Sequence, residues 1–378
     1  MIVAAYQGSE GAQIAPDSIA AAASVVGAGG LIGLPTETVY GLAANASDPQ
    51  AVGRIFAAKG RPADHPLIVH VAAFDGGMGG VAHYCDRVPA FAQQLMAAFW
   101  PGPLTLIVPR RAGVGEAAAG GQDSIGLRCP AHPVAQSLLA ALRKPADGAP
   151  VVWGLAAPSA NLFGRVSPTT AAHVLGEFGD GLFILDGGPC AVGIESTIID
   201  CTRGAPVLLR PGAITAAQVQ DACGRPLLSK EELDAQSPPA PRASGTLESH
   251  YAPSATVRLM DARALQAALD VLAGTTPSAN SPANPRPRIA LYHRSPLQVP
   301  PQLLGNMGTP PTIGTPPDVG TPTVVARRMP QHAQPAAHEL FATLRAMDAC
   351  GVQLIWVETP PDTPEWAGVR DRLTRAAA

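Results

Sequence analysis

Short apolar runs alternating with helical stretches, each fenced by proline or glycine, narrow the folds open to this chain more than any other feature. Residues 16–28 read as a helix, with Pro16 and Asp17 at its start and Gly29-Gly30 behind it. Residues 31–34 then form a short buried strand that Pro35 stops. Asp48-Pro49 opens a second helix, with Val52, Ile55 and Phe56 on one face, which ends near Lys59 with Gly60 as the stop. In the strand expected over 65–71, Leu67, Val69 and Val71 share one face, and Ile68 and His70 share the other. A helix over 88–99 and a strand over 104–108 follow. The strand Ser124–Arg128 comes next, with Ser124, Gly126 and Arg128 on one side. Further strands are expected at 151–156, 182–185, 196–201 and 207–210. This alternation makes the class α/β.

At 378 residues the chain has room for two domains. Near residue 225 the pattern gives way to a polar stretch rich in Pro and Ser. The expected organisation is a first domain over 1–224, a linker over 225–255 and a smaller α/β domain over 256–378. In the last, helices are expected at 262–272 and 335–349, and strands at 289–292 and 352–357. Gly308, Gly314 and Gly320 each open a Gly-Thr-Pro triplet, and with so many prolines they read as a low-complexity loop rather than a solenoid. Aromatic residues are only 4% of the chain, so Val, Leu, Ile and Ala must carry the packing. The net charge of −3 argues against holding nucleic acid by bulk electrostatics. Six cysteines without a CxxC pair read as reduced thiols, several of them core-packed. With neither a signal-peptide pattern nor an apolar run of about 18 residues, a soluble cytoplasmic protein without membrane attachment is expected.

The common nucleotide and hydrolase signatures are absent: the sequence has no GxxxxGK[ST], GxGxxG or GxSxG. Three other clusters carry the chemistry. They are the run from Pro35 through Glu37 and Thr38 to Leu42, the run Lys59-Gly60-Arg61-Pro62 leading through His65 to His70, and Pro158-Ser159-Ala160-Asn161 followed by Ser167-Pro168-Thr169. Taken alone, Lys59 offsets a helix dipole and His70 is a core histidine. Lys59 and Arg61 presented together from a rigid loop suit a polyphosphate. Arg128 on an apolar strand is costly unless it meets an anion. Arg210 suits either a ligand or an ion pair with Asp186 or Asp200, and Ser159 and Asn161 can serve simply as turn residues.

These clusters, in this order, resemble those of the YrdC-type threonylcarbamoyladenylate synthases. Glu195-Ser196-Thr197-Ile198-Ile199-Asp200 and Leu209-Arg210-Pro211-Gly212 extend the resemblance, and His250-Tyr251-Ala252-Pro253 with the C-terminal segment points to the family's long two-domain form. The resemblance implies a YrdC-like twisted mixed sheet with an open cavity, plus a smaller Rossmann-like α/β domain. It implies a nucleotidyltransferase that joins L-threonine, bicarbonate and ATP, with Mg²⁺, into threonylcarbamoyl-AMP and pyrophosphate. The product would supply the tRNA threonylcarbamoyl-transfer machinery. By motif position, Thr38, His70, Arg128, Ser159 and Ser196 would hold threonine. Arg61, His65, Ser124, Asn161, Ser167, Arg210 and Tyr251 would hold ATP, with Lys59 at the phosphates. Lys59 and Arg61 are the expected catalytic cations, and no protein metal ligand is assigned. Many relatives carry Asn where this chain has His65, and a more basic stretch where it has 243–249. The linker is expected to close over the cavity through Tyr251 and exclude water. The rival readings are a carbamoyltransferase-related domain, which would bring zinc-binding cysteine clusters or a large second module, and a non-catalytic RNA-binding module.

Overall fold

The computed structural model describes residues 1–7, 13–73, 79–145, 150–234, 240–245, 250–274, 288–304 and 324–378. They fall into two compact units, Met1–Phe163 with Ser167–Leu247, and Gly164–Val166 with Glu248–Ala378. The Gly-Thr-Pro triplets at Gly308, Gly314 and Gly320 lie outside the described residues.

The first unit is built on β1 (Ile2–Ala4), β2 (Tyr6–Gln7), β3 (Gln13–Ile14), β4 (Ile32–Leu34), β5 (Gly41–Asn45), β6 (Ile68–His70), β7 (Leu104–Pro109), β8 (Ser124–Arg128), β9 (Leu155–Ala156), β10 (Phe183–Asp186), β11 (Thr197–Asp200), β12 (Val207–Arg210) and β13 (Leu228–Ser229). Among the described residues β2 and β3 form a small ribbon, and the other strands make one mixed sheet in the order β1-β10-β4-β5-β9-β6-β8-β7-β11-β12-β13. Two apolar layers cover it. Ile19, Ala22 and Val26 of helix Pro16–Gly27, with Val134, Leu138 and Leu142 of helix Pro133–Arg143, pack on Ile32, Leu34, Leu155 and Leu185. Val52, Ile55 and Phe56 of helix Pro49–Lys59, and Phe91 and Leu95 of helix Ala90–Phe99, pack on Val69, Leu106, Ile125, Leu127 and Ile199. Each fully buried aliphatic side chain contributes roughly 1.5–3 kcal/mol. Strands alternate their side chains, so filling one face of β6, β8, β7 and β11 with Val, Leu and Ile sends His70, Ser124, Gly126, Arg128 and Thr105 to the other.

The elements differ from the sequence reading in instructive places. The strand expected over 65–71 is confined to β6, because His65 turns back on Pro62 and Leu67 bonds to Ala118 rather than to a neighbouring strand. Of residues 151–156 only the last two pair, as β9. The chain crosses the sheet at Gly154, where a Cβ would stand 2.7 Å from Val69 Cγ1 and 3.0 Å from the His70 carbonyl. Residues 225–234, read as the start of a linker, carry β13 and the short helix Lys230–Asp234.

The second unit holds β14 (Thr256–Met260), β15 (Ile289–His293), β16 (Val324–Arg328) and β17 (Leu354–Glu358), all parallel, in the order β14-β17-β15-β16. Helices Ala262–Gly274, Ala333–Ala349 and Ala367–Ala376 accompany them. Leu265 and Leu269 close a core over Ile289, Leu291 and Val324. The parallel strands with intervening helices are those of a small doubly wound sheet.

Candidate active site

Strand register assembles the site. β6 and β8 pair His70 with Arg128, β8 and β7 pair Arg128 with Thr105, β7 and β11 pair Thr105 with Ile198, and β11 and β12 pair Ile198 with Arg210. Paired residues share a face, so one transverse row carries an imidazole, two guanidiniums and a hydroxyl on the side opposite the core. Two residues along the strands, a second row of Ile68, Gly126 and Ile107 floors a slot that Ser124 continues.

Arg128 is almost fully buried and firmly held. It donates from Nη2 to Glu37 Oε1 at 2.6 Å, from Nη1 to Thr38 Oγ1 at 2.7 Å and from Nε to the Gly102 carbonyl at 3.2 Å. Glu37 Oε2 also accepts from the Ala131 N–H at 3.0 Å. Thr36 shapes the turn that presents Glu37 and Thr38, with its Oγ1 2.6 Å from the Val39 carbonyl and 2.9 Å from Thr38 Oγ1. The anion that a buried Arg128 requires is therefore already present as Glu37. Three of the guanidinium's five N–H groups are used among the described residues, leaving two for a ligand. Burial and the Arg128 charge push His70 down to about 3, so its ring is neutral near pH 7.

Helix Pro49–Lys59 fixes the second cluster. The Asp48 side chain caps it through the Gln50 N–H at 2.8 Å, and Gly60 ends it at φ 62°, a conformation glycine takes without strain. Lys59 does not point to solvent. It is buried, and its ammonium donates to the Ser159 carbonyl at 2.6 Å and to the Asn161 carbonyl. Burial, then the neighbouring Arg61 charge, lowers its pKa to about 7. Arg61 donates to the Pro66 carbonyl at 2.9 Å and lies 5.9 Å above the Phe163 ring, which His65 meets edge-on at 5.7 Å. Asn161 Nδ2 donates to the Leu162 carbonyl at 2.7 Å, and Ser167 Oγ donates to Glu195 Oε1.

Arg210 donates from Nε and Nη2 to the Ser196 carbonyl at 3.1 and 3.0 Å, and from Nη2 to Ser196 Oγ at 3.2 Å. Asp200, one of its candidate partners, instead pairs with Arg203 at 2.7 Å. A strap from the later part of the linker, Arg242 to Ser244, roofs the slot. Gln122 clamps the Arg242 backbone, accepting from its N–H at 2.8 Å and donating to its carbonyl at 3.3 Å. The Arg242 side chain pairs with Asp64 at 2.6 Å. Ser244 then offers its carbonyl to Arg210 Nη1 at 2.9 Å and its hydroxyl to Arg61 Nη2 at 3.4 Å.

The first unit thus gathers Thr38, Lys59, Arg61, His65, His70, Ser124, Arg128, Ser159, Asn161, Ser167, Ser196 and Arg210 around one face of its sheet. Tyr251 belongs to the second unit, where it is buried at φ 63°, 5.5 Å from the Phe341 ring and 5.4 Å beneath the Arg372 guanidinium. Sequence reasoning passed over Thr105, whose Oγ1 lies 2.7 Å from Ser196 Oγ, as well as the pairing role of Glu37, the Ser167 partner Glu195, and the Gln122 clamp. Only Thr105 carried a signal, being the one polar residue in the interior of an apolar strand.

Residues 24–212 match the Sua5, YciO and YrdC family model, described as "Telomere recombination". Residues 214–378 match the model described as "Threonylcarbamoyl-AMP synthase, C-terminal domain". The chain is 42% identical over 241 residues to the threonylcarbamoyl-AMP synthase of Pyrococcus abyssi, a stretch covering 64% of this chain and 67% of that one. It is 41% identical over 246 residues to the enzyme of the same name from Bacillus subtilis, covering 64% and 66%. The solved structure of P. abyssi Sua5 complexed with L-threonine superimposes with a TM-score of 0.78 at 31% identity, over 100% of this chain and 97% of that chain.

Proposed function

Because the chain belongs to the Sua5/YciO/YrdC family and carries that family's threonylcarbamoyl-AMP synthase C-terminal domain, we infer that it makes threonylcarbamoyl-AMP, the activated carbamoyl-threonine used in tRNA modification. The observation that carries this reading is the transverse row of His70, Arg128, Thr105 and Arg210, rimmed by Arg61, on the face of the sheet beneath the Ser244 strap. Such a row can hold an amino-acid carboxylate and a triphosphate side by side.

The two N–H groups left on Arg128 suit the threonine carboxylate, and Thr38, His70, Ser159 and Ser196 complete that end. A neutral His70 can accept a hydrogen bond from the amine. Arg61 and Arg210 serve the phosphates, with Ser124, Asn161, Ser167 and His65 as further ATP contacts. Of the three ammonium N–H groups on Lys59, two go to the Ser159 and Asn161 carbonyls, so its role joins loop positioning to a single remaining donor at the phosphates.

The threonine amine adds to bicarbonate with loss of water, and the resulting carbamate oxygen attacks the α-phosphorus as pyrophosphate leaves. The nucleophile comes from substrate, so the protein's part is to bring three anions together and bear the charge at phosphorus. Among the described residues no three acidic, His or Cys groups gather as a metal cage, and Glu37 and Glu195 already hold Arg128 and Ser167. Mg²⁺ would arrive with ATP and lower the charge on the phosphate oxygens.

Ser244 uses the donors on Arg61 and Arg210 that phosphate oxygens would take, so the strap lifts when ATP enters and closes afterwards against water. The adenylate is then handed to the tRNA threonylcarbamoyl-transfer machinery in the cytoplasm. No helix among the described residues is long and apolar enough to cross a membrane.

Pyrophosphate release from ATP is the test. It should require both L-threonine and bicarbonate, and Arg61→Ala should greatly reduce it. Release that ignores threonine, or none at all, refutes the reading.

A further inference from the structure

Gly126 is a glycine that the fold does not ask for. It sits at the centre of β8, paired on both sides, with Ile68 across β6 and Ile107 across β7. A glycine there costs conformational entropy and leaves a strand position without packing. Its backbone is not in the left-handed region where glycine is needed. Nor is a side chain excluded. A Cβ added at Gly126 would meet only Thr105 Cγ2 at 3.5 Å, Ile68 Cγ1 at 3.8 Å and Ile107 Cγ1 at 4.0 Å, all ordinary contacts. The contrast with Gly154 and Gly212 is sharp, since a Cβ at those positions would strike backbone or a packed side chain at 2.7 Å or less.

What lies over Gly126 is the slot, with Ile68, Ile107, Thr105 and Ser124 around it and the Ala243-Ser244 strap as its roof. None of the strap comes within 4 Å of the added Cβ. Along β8 the position is two residues from Arg128 and two from Ser124, about 7 Å each way. Resting on the function proposed above, Arg128 marks the amino-acid end of the slot and Ser124 the nucleotide end. We propose that Gly126 is a substrate-contact residue, bare so that the carbamoylated amino acid and the α-phosphoryl group can meet directly above it.

A methyl group there intrudes by about 1.5 Å at the point of bond formation, while each substrate alone keeps its outer anchors. The experiment compares Gly126→Ala with the wild type in thermal melting, in calorimetric binding of L-threonine alone and of ATP alone, and in threonine-dependent pyrophosphate release. The expected result is an unchanged or slightly raised melting temperature and both single-substrate affinities kept. Turnover falls by about 100-fold, the scale of an ångström-level misplacement of reacting groups. Wild-type turnover in the variant overturns the inference alone. So does loss of threonine binding on its own, which would put a single ligand over Gly126. A large drop in melting temperature overturns its premise, that alanine fits. Absence of threonine-dependent release from the wild type overturns the proposed function and this inference with it.

Discussion

Glu37→Gln tests the electrostatic centre of the site. In the wild type the Arg128 and Glu37 side chains are 4% and 10% exposed and sit 2.6 Å apart. Removing one charge of a buried pair costs roughly 3–5 kcal/mol, mainly because the other charge is left uncompensated. Glutamine keeps the shape and can still accept one hydrogen bond from Arg128 or from the Ala131 N–H, which places the cost near the lower bound, at about 3 kcal/mol. For a unit of this size that corresponds to a fall of roughly 6–12 °C in melting temperature. Scanning calorimetry without ligand measures it. The same reasoning makes L-threonine a stronger stabiliser of the variant than of the wild type, because its carboxylate would restore the missing anion beside Arg128. A ligand-free destabilisation below about 1 kcal/mol would mean that Arg128 is not held as a buried charge, and the account of the row would fail.

Thr105→Val removes the hydroxyl that bonds Ser196 and should raise the KM for threonine by about 3- to 10-fold, with Thr105→Ser restoring it; steady-state kinetics decide, and equal values for both variants would refute the role. Lys59 has a pKa lowered to about 7 in the folded protein against an ordinary 10.5, so the folded state holds fewer protons between those values and this group makes stability rise with pH across that window. Lys59→Met should lose that rise, so that the wild-type urea midpoint climbs relative to the variant's from pH 7 to 9, and a constant difference would count against it. Arg242→Ala breaks an ion pair with both partners more than half exposed, so its effect on stability should stay within about 1 kcal/mol. By loosening the strap, the same change should tighten ATP binding in calorimetry. Weaker binding would show instead that the strap supplies ligand contacts.

Much of this was legible in the sequence, for physical reasons. Period-two alternation over Ser124–Arg128 and around His70 was enough to put Ser124, Gly126, Arg128 and His70 on the face away from the core. Asp48-Pro49 and Gly60 were local chemistry, and they fixed where Lys59 and Arg61 sit. Partners were not legible, because they depend on contacts far apart in the chain. Arg128 meets Glu37 across 91 positions and Lys59 meets the Ser159 carbonyl across 100. An apolar strand with one arginine says that an anion is needed, not that the protein provides it. Helix Pro133–Arg143 was visible in principle, through Pro133 at its first turn and buried positions 134, 138 and 142, but no chemistry-bearing motif drew attention to it. Gln122 was hidden for another reason: its side chain holds backbone atoms of Arg242, and backbone has no sequence signature.

The row that joins β6, β8, β7, β11 and β12 ties correct assembly to correct chemistry. If β8 slipped by one residue against its neighbours, Arg128 would be driven into the aliphatic layer and Leu127 would stand in its place. Such a mispaired chain would be incompetent and unstable at once, so the cell's ordinary disposal of unstable chains would also remove inactive ones.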